Sequence, residues 1–184
     1  MNSKEKQNEF MHLYEPYHIG FVKFCIAQSY GIIDYEDLVN ESITRAFESF
    51  GSIKNKSAFA GYLYGVAKNI IKAELRKRKT KEKFDLFRID QKLMIENQAE
   101  QKFEIEVLYK ALAQLPENQK EAVILFEISG YSIKEIAEMQ NSGISAIKQR
   151  LKRGRTKLSE ILLAPEMKEE SLLSRSSVLI SLFF

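Results

Sequence analysis

Apolar residues recur every three to four positions along most of the chain, a spacing that predicts amphipathic helices rather than strands. In the first 79 residues the pattern forms three runs, with breaks near Gly31 and at 51–57. The apolar positions of these runs are Phe10, Leu13, Tyr14 and Tyr17, then Val39, Ile43, Ala46, Phe47 and Phe50, then Phe59, Leu63, Val66 and Ile70. No segment keeps a convincing two-residue alternation, so we predict an all-α fold.

The chain divides into two small helical domains, which we predict at 5–79 and 103–163. The stretch 80–102 between them is polar, charged and only weakly periodic, which predicts a flexible linker. In the second domain, Pro116 is predicted to open a helix in its first turn and Gly130 to end it. The tail at 164–184 ends in the apolar run VLISLFF. The sequence leaves open whether that tail folds back, binds a partner or stays disordered.

Residues 131–158 carry the signals of a helix-turn-helix. Ser132 followed by Glu135 is a capping box for a first short helix. Ala137 is small enough for a close helix crossing, Asn141 can adopt the left-handed turn conformation, and Ser142 can cap a second helix. A second helix set at a steep angle by a short turn is the geometry that enters a DNA major groove.

The second helix of this motif, at 143–158, is cationic. It holds six basic residues and no acidic one: Lys148, Arg150, Lys152, Arg153, Arg155 and Lys157. A solvated, lysine-rich surface helix is the alternative interpretation. Duplex DNA binding is favoured because the capping box, the turn residue and the apolar positions all occur at the spacing that a helix-turn-helix requires. Those apolar positions are Ile133, Ile136, Ile144, Ile147 and Leu151.

Charge is segregated along the chain rather than large in total. The 184 residues are 45% hydrophobic and 29% charged, and the net charge is only +3. The segment 34–48 is acidic, whereas 68–83 and 148–157 are strongly basic. Such blocks indicate two different partners, one basic or polar and one polyanionic.

Cysteine usage and the apolar runs argue against a metal site and a membrane segment. Cys25 is the single cysteine, so no intrachain disulfide is possible. A zinc set of His12, His18 and Cys25 fits no common spacing, and Cys25 is better explained as a small core residue. No apolar run is long enough to cross a bilayer, and the N-terminus has no signal-peptide core. We therefore expect a cytoplasmic protein with no metal, no cofactor and no membrane insertion.

Together these segments resemble the extracytoplasmic-function (ECF) group of the sigma-70 family, the promoter-recognition subunits of bacterial RNA polymerase. Residues 34–47 (DYEDLVNESITRAF) are similar to the polymerase-docking helix of the family, and 59–79 (FAGYLYGVAKNIIKAELRKRK) to its promoter-melting and −10-reading helix. Residues 115–158 are similar to its −35-reading domain. The resemblance covers roughly 9–163 and implies a non-enzymatic protein that directs transcription initiation. It also implies three partners: core polymerase, promoter DNA and an anti-sigma factor.

The resemblance implies that the acidic segment docks on the clamp helices of the polymerase beta-prime subunit, with the beta subunit as a further contact. Asp37 and Glu41 share a helix face at a spacing where like charges repel, which favours a basic partner surface. Leu38 is predicted to be an exposed apolar anchor there. The predicted polymerase-binding residues are Asp34, Glu36, Asp37, Leu38 and Glu41. A solvated acidic face and a carboxylate magnesium site are the alternatives.

The helix at 59–79 carries an aromatic residue, an amide and several cations away from its core stripe. This combination suits single-stranded DNA, because bases stack on rings while phosphates meet cations. In the family the extruded −10 base is typically held by the preceding loop, here 51–57. The predicted residues are Lys54, Asn55, Lys56, Tyr62, Lys68, Asn69, Lys72 and Arg76. For Tyr62 taken by itself, the simpler alternative is that its side chain packs in the core or lies on the surface without binding DNA.

In the second helix of the helix-turn-helix, the predicted base-edge contacts come from Ser145, Ala146, Lys148, Gln149 and Arg150, and the predicted phosphate contacts from Lys152, Arg153 and Arg155. The chain departs from the family where Tyr62 replaces a frequent tryptophan, Ala73 a frequent aspartate and Asn141 a frequent turn glycine. The first two bear on melting and −10 preference.

Two other classes remain open from sequence alone. A stand-alone helix-turn-helix regulator would need a receiver or ligand domain ahead of the motif, and the first block lacks the alternating strands and helices of a receiver. A small helical nucleic-acid-processing enzyme would use the acidic cluster with a metal.

Overall fold

The computed structural model describes residues 3–53, 55–81 and 99–164. These residues form α-helices, short 3₁₀ turns and one π-helical turn, and contain no strand, so the predicted all-α fold is confirmed. Lys54, most of the predicted linker (82–98) and nearly all of the predicted tail (165–184) lie outside the described residues. We call residues 3–81 the N-terminal half and residues 99–164 the C-terminal half.

The N-terminal half contains four α-helices in the order α1 (Ser3–Tyr14), α2 (His18–Ser29), α3 (Tyr35–Glu48) and α4 (Phe59–Lys81). Short 3₁₀ turns lie at Glu15–Tyr17, Phe50–Ser52 and Lys56–Ala58. The predicted break after α2 is confirmed, because Gly31 has a φ of 71°. The Oδ1 atom of Asp34 then caps α3 by accepting from the N–H groups of Glu36 (2.8 Å) and Asp37 (3.4 Å).

Aromatic rings hold α1, α3 and α4 together. The buried ring of Phe10 meets Phe47, Phe50 and Phe59 edge-on, with centroid distances of 5.3, 5.4 and 5.4 Å. Edge-to-face pairs of this kind add about 0.5–1.5 kcal/mol each beyond the area they bury. At the other end of α4, the guanidinium of Arg78 donates to the carbonyl oxygens of Gly31 (2.8 Å) and Ile32. These contacts fix α4 along its length against the helices that precede it.

The C-terminal half contains α5 (Ala99–Ala113), α6 (Glu117–Val123), a π-helical turn (Ile124–Ile128), α7 (Ile133–Met139) and α8 (Ile144–Leu163). Pro116 precedes the first helical residue of α6 as its N-cap, one position earlier than predicted, and its carbonyl accepts from Gln119. Gly130 ends the helical run with a φ of 81°, as predicted. The pair α7 and α8 forms the predicted helix-turn-helix.

The two halves pack directly against each other. α2 contacts the π-helical turn, α4 contacts α7, and the buried apolar residues of both halves form one continuous cluster. The Tyr64 hydroxyl donates to the Tyr131 hydroxyl across this boundary at 2.7 Å. α4 is buried on more than its one predicted stripe because both α2 and the C-terminal half pack against it; the ring of Tyr64, for example, meets those of Phe21, Phe24 and Tyr131. The additional buried positions are Ala60, Tyr64, Ala67 and Ile71.

Within the C-terminal half, α8 crosses α6 at Gly154. A Cβ atom there would lie 2.8 Å from Cγ2 of Val123 and 3.3 Å from the Gln119 carbonyl oxygen. We therefore expect Gly154→Ala to destabilise the protein by about 1–3 kcal/mol, the usual cost of overpacking. Urea unfolding followed by circular dichroism measures the change.

Gly65→Ala is the matched control, because a Cβ on this helical glycine would meet no atom within 4 Å. Alanine favours helix over glycine by about 0.5–1 kcal/mol, so this variant should be more stable than the wild type. Stabilisation by both substitutions would contradict the close crossing at Gly154.

Candidate nucleic-acid interface

The acidic side chains of α3 form one exposed surface, which we call the acidic face: Asp34, Glu36, Asp37 and Glu41. The first three are exposed, and Glu41 is half-buried beside Arg45, its ion-pair partner one turn along the helix. No described cation from another element pairs with Asp37 in the structure. The acidic face is therefore available to a basic partner.

Leu38 does not belong to this face, and its prediction as an exposed anchor is wrong. The side chain is 0% exposed and lies in the core with Val39, Ser42 and Ala46. Successive helix residues are rotated by about 100°, so Leu38 points away from Asp37 and towards α2 and α4.

Two of the predicted −10 residues, Asn55 and Tyr62, line a cleft between the two halves. This interdomain cleft, with a volume of about 480 Å³, has Asn55 and Tyr62 on one side and Glu135, Glu138 and Met139 of α7 on the other. The Oδ1 atom of Asn55 accepts from the N–H (3.1 Å) and the hydroxyl (2.7 Å) of Ser57, which shapes the loop. Tyr62 is half-buried: it packs against the core and also lines the cleft.

Two of the predicted −10 cations are engaged within the protein. Lys56 pairs with Glu9 and lies 5.0 Å from the ring centroid of Phe50. The Nζ atom of Lys68 donates to Oε1 of Glu121 at 2.7 Å, across the boundary between the halves. The remaining described −10 residues are exposed along the outer side of α4: Asn69, Lys72 and Arg76.

The helix-turn-helix begins with the predicted capping box. The Ser132 N–H donates to Oε2 of Glu135 at 2.8 Å, and the Glu135 N–H donates to Oγ of Ser132 at 3.3 Å. The hydrogen bonds from Ser132 lower the pKa of Glu135 by favouring its charged form. Asn141 adopts the predicted left-handed conformation, with a φ of 45°.

Ser142 was predicted to cap α8, and this prediction is wrong. The N-cap of α8 is Gly143, which offers no side-chain cap. Ser142 instead belongs to the turn: its N–H donates to the Ala137 carbonyl at 2.9 Å, and its hydroxyl donates to the Gln140 carbonyl at 3.1 Å.

The outward side of α8 forms a second exposed surface, which we call the groove face: Ser145, Lys148, Gln149, Lys152 and Arg153. The other predicted −35 residues lie at its margins. Ala146 is half-buried, Arg150 donates to Oε1 of Gln140 at 2.5 Å, and Arg155 pairs with Glu127 at 2.5 Å. Arg150 thus holds α8 to the end of α7, and Arg155 holds it to the π-helical turn. Their contact with DNA stays a prediction.

Sequence reasoning missed the residues that join the halves. The contributors are Gly20, Gly61, Tyr64, Glu121 and Tyr131. One signal was present in the sequence. Gly61 interrupts a strongly helical pattern, and a glycine at such a position often marks a place where another segment packs closely against the helix. Its neighbour in space, the backbone of Met139, could not be identified from periodicity.

The zinc set considered from sequence does not form. Cys25 is fully buried, burial raises the pKa of its thiol, and His18 is hydrogen-bonded to Tyr14 at 2.7 Å. Within the described ranges, no group of three or more His, Cys, Asp or Glu side chains converges on a possible metal position. In the same ranges, no helix combines the length and apolarity of a membrane span.

Comparison with known proteins identifies the family of the chain. The family model for sigma-70 region 2 matches residues 13–81, and that for sigma-70 region 4 matches residues 105–158. The chain is 30% identical over 139 residues to the ECF RNA polymerase sigma factor EcfG of Rhodopseudomonas palustris, covering 76% of this chain and 77% of that protein. It is 27% identical over 156 residues to SigX of Bacillus subtilis, covering 80% of each.

A solved structure shares the fold. The sigma factor RpoE of Bartonella quintana, crystallised with the anti-sigma factor NepR, matches with a TM-score of 0.63 and 26% identity, covering 88% of this chain and 99% of that one. The chain belongs to the ECF group of the sigma-70 family. It is accordingly an RNA polymerase sigma factor, a subunit that directs transcription initiation.

The capping box of α7 can be tested by substitution of Ser132. Ser132→Ala should cost about 1 kcal/mol of stability and should raise the pKa of Glu135 towards its ordinary value. A carboxyl group whose pKa is lowered in the folded state stabilises the fold at pH values above its pKa in the unfolded state, which is about 4.3. This stabilisation is lost as the pH falls through the pKa of the folded state. The stability gap between wild type and variant should therefore shrink in acid. NMR titration of Glu135 and urea unfolding across pH measure both effects.

Ser142→Ala is the control, because the Ser142 hydroxyl bonds the Gln140 carbonyl and is not a partner of Glu135. It should leave the Glu135 titration unchanged and the stability within about 0.5 kcal/mol of the wild type. Equal shifts in the two variants would refute the assignment of the cap.

Proposed function

We propose that this sigma factor connects core RNA polymerase to promoter DNA through three separate surfaces. α3 docks on the polymerase through the acidic face, α4 and its preceding loop hold the melted non-template strand, and α8 reads the −35 duplex. The observation that carries the proposal is the segregation of charge: carboxylates are exposed on α3, whereas Lys148, Lys152 and Arg153 are exposed on α8. The chain contributes binding and catalyses no covalent step.

The acidic face supports a basic partner. Asp34, Glu36 and Asp37 are exposed within one helical turn, where their mutual repulsion is unfavourable in the free protein. A cationic surface would relieve that repulsion and would speed association over longer range. The clamp helices of the beta-prime subunit are the expected partner, with the beta subunit contacting other parts of the chain.

The exposed side of α4 suits a single strand. Tyr62 offers a ring for base stacking, Asn69 offers an amide, and Lys72 and Arg76 offer cations for the phosphates. Asn55 and Lys56 lie in the segment that precedes this helix, and Asn55 also lines the interdomain cleft. Extruding a base costs a few kcal/mol, so a preformed pocket and the polymerase clamp would act together.

The groove face suits a duplex. In a helix-turn-helix the N-terminal residues of the second helix contact base edges. Ser145, Lys148 and Gln149 occupy these positions in α8, and Lys152 and Arg153 follow at positions suited to phosphates. Because one chain carries both DNA-binding surfaces, binding of one raises the effective concentration of the other once polymerase sets their spacing.

The remaining expectations follow from family membership. A stand-alone helix-turn-helix regulator is disfavoured because the region 2 match covers most of the N-terminal half. We propose action in the cytoplasm, where core polymerase transcribes the chromosome. We also propose restraint by an anti-sigma factor, as suggested by the Bartonella quintana relative that was crystallised with NepR.

For the polymerase contact, Asp37→Lys should weaken binding to core enzyme at least about tenfold, since it converts attraction to repulsion at a close charge pair. Glu15→Lys is a charge-matched control, because Glu15 is an exposed carboxylate outside the acidic face. Biolayer interferometry with immobilised core polymerase measures both. Equal weakening by the two variants would show that net charge, rather than the acidic face, governs docking.

For the −35 contact, Gln149→Ala should reduce the preference for the mapped −35 duplex over a scrambled duplex by about 1–3 kcal/mol, the value of a good base-edge contact. Lys152→Ala should instead weaken binding to both duplexes and lower the salt slope by about one. Anisotropy titrations at several salt concentrations distinguish the two. The assignment of Gln149 fails if its loss weakens both duplexes alike.

A further inference from the structure

A large apolar side chain is exposed at the start of the groove face. Ile144 is the first residue of α8, and its side chain is 48% exposed. Its spacing in the sequence is that of the apolar stripe of the helix, yet burial begins only one turn later, at Ile147. Because Ile147 and Leu151 already pack α8 into the motif, Ile144 is available for a contact outside the protein.

The position of Ile144, rather than its exposure, sets it apart. Exposed apolar residues are common on protein surfaces, so exposure by itself indicates no function. Among the described residues, Ile144 is the exposed large apolar side chain that directly precedes the proposed base-edge contacts Ser145 and Lys148. The other exposed large apolar side chains lie elsewhere: Met11, Ile19, Leu75 and Leu163.

The neighbours of Ile144 on the outward side of α8 are polar. Ser145 follows it, and Lys148 lies beside it one turn further on, since residues four positions apart are neighbours on a helix surface. Both are exposed, so Ile144 is an isolated apolar position within a hydrogen-bonding surface. A protein partner normally covers a larger apolar patch, whereas one side chain suits one small apolar group.

The approach to Ile144 is open. Its side chain lines a surface depression of about 540 Å³ together with Lys134 and Glu138 of α7 and Asn141 of the turn. All three of these residues are exposed themselves. The first helix of the motif therefore leaves room for a group that approaches the start of α8 from outside.

A DNA duplex offers a matching apolar group. In a helix-turn-helix, the first residues of the second helix contact base edges in the major groove. These edges carry hydrogen-bond donors and acceptors, and thymine adds its C5 methyl group. Because the side chain of isoleucine forms no hydrogen bonds, the methyl group is the feature of these edges that it would favour by burial.

We propose that Ile144 is a specificity-determining residue of the −35 contact and that it reads the C5 methyl group of a thymine in the major groove. The inference rests on the function proposed above and adds an apolar contact to it. Ser145, Lys148 and Gln149 form the polar part of the base-edge contact, and Ile144 forms the apolar part. The chain therefore favours an A·T pair at the position that Ile144 contacts, with the thymine on one defined strand.

The test compares thymine with deoxyuridine, which lacks the C5 methyl group and keeps the hydrogen-bonding groups of thymine. The duplex carries the −35 element mapped from the start sites that the chain selects with core polymerase. Each of its thymines, on either strand, is replaced singly by deoxyuridine, and the affinity of the full chain is measured by fluorescence anisotropy. At one position we expect the replacement to weaken binding about fourfold, which corresponds to the loss of one buried methyl-sized group.

Variants of Ile144 assign this effect to its side chain. In Ile144→Ala, thymine and deoxyuridine at that position should differ by less than about 1.5-fold, because the contact with the methyl group is lost. Ile144→Val keeps both γ carbons and should retain most of the fourfold effect. Leu163→Ala is the matched control, since Leu163 is 46% exposed at the other end of the same helix and should leave every deoxyuridine effect unchanged. Circular dichroism establishes that each variant is folded.

Two results would overturn the inference. One is the absence of any deoxyuridine effect that depends on Ile144. The other is weaker binding of Ile144→Ala to core polymerase with unchanged thymine discrimination, which would assign Ile144 to a protein contact. The proposed function is tested separately with a scrambled duplex and with start-site mapping. If the wild type neither prefers the −35 duplex nor selects start sites, the proposed function fails. If it does both and no deoxyuridine effect depends on Ile144, only the role of Ile144 is refuted.

Discussion

The packing of the two described halves against each other centres on a pair of tyrosine hydroxyls buried where they meet. Tyr64 donates to Tyr131 at 2.7 Å, and burial raises the pKa of both, so the pair stays neutral. A buried hydroxyl without a partner costs about 1–3 kcal/mol, so the pairing allows both hydroxyls to be buried between the halves without that cost. Gly20 and Gly61 provide the close approach that this contact requires.

This contact gives α4 two competing roles. Its inner side completes the core of the N-terminal half through Phe59 and Leu63, and its outer side carries the cations proposed for DNA. Tyr64 and Lys68 lie between these sides and are used by the C-terminal half.

Local signals in the sequence predicted local structure well. The capping box of Ser132 and the left-handed turn at Asn141 depend on neighbouring residues alone, so both were predicted correctly. Leu38 was misplaced because a short helix with apolar residues on adjacent positions admits two phases, and only packing against α2 and α4 selects one. The contact between the halves joins residues more than 50 positions apart, and no periodicity encodes which distant helix will cover a given face.

The most direct measurement of the central claim is reconstituted transcription with purified core polymerase, followed by mapping of RNA 5′ ends on double-stranded promoter templates. The account predicts defined start sites that appear only when the chain is added and that disappear when the −10 or the −35 element is scrambled. Identical 5′ ends with and without the chain would contradict it.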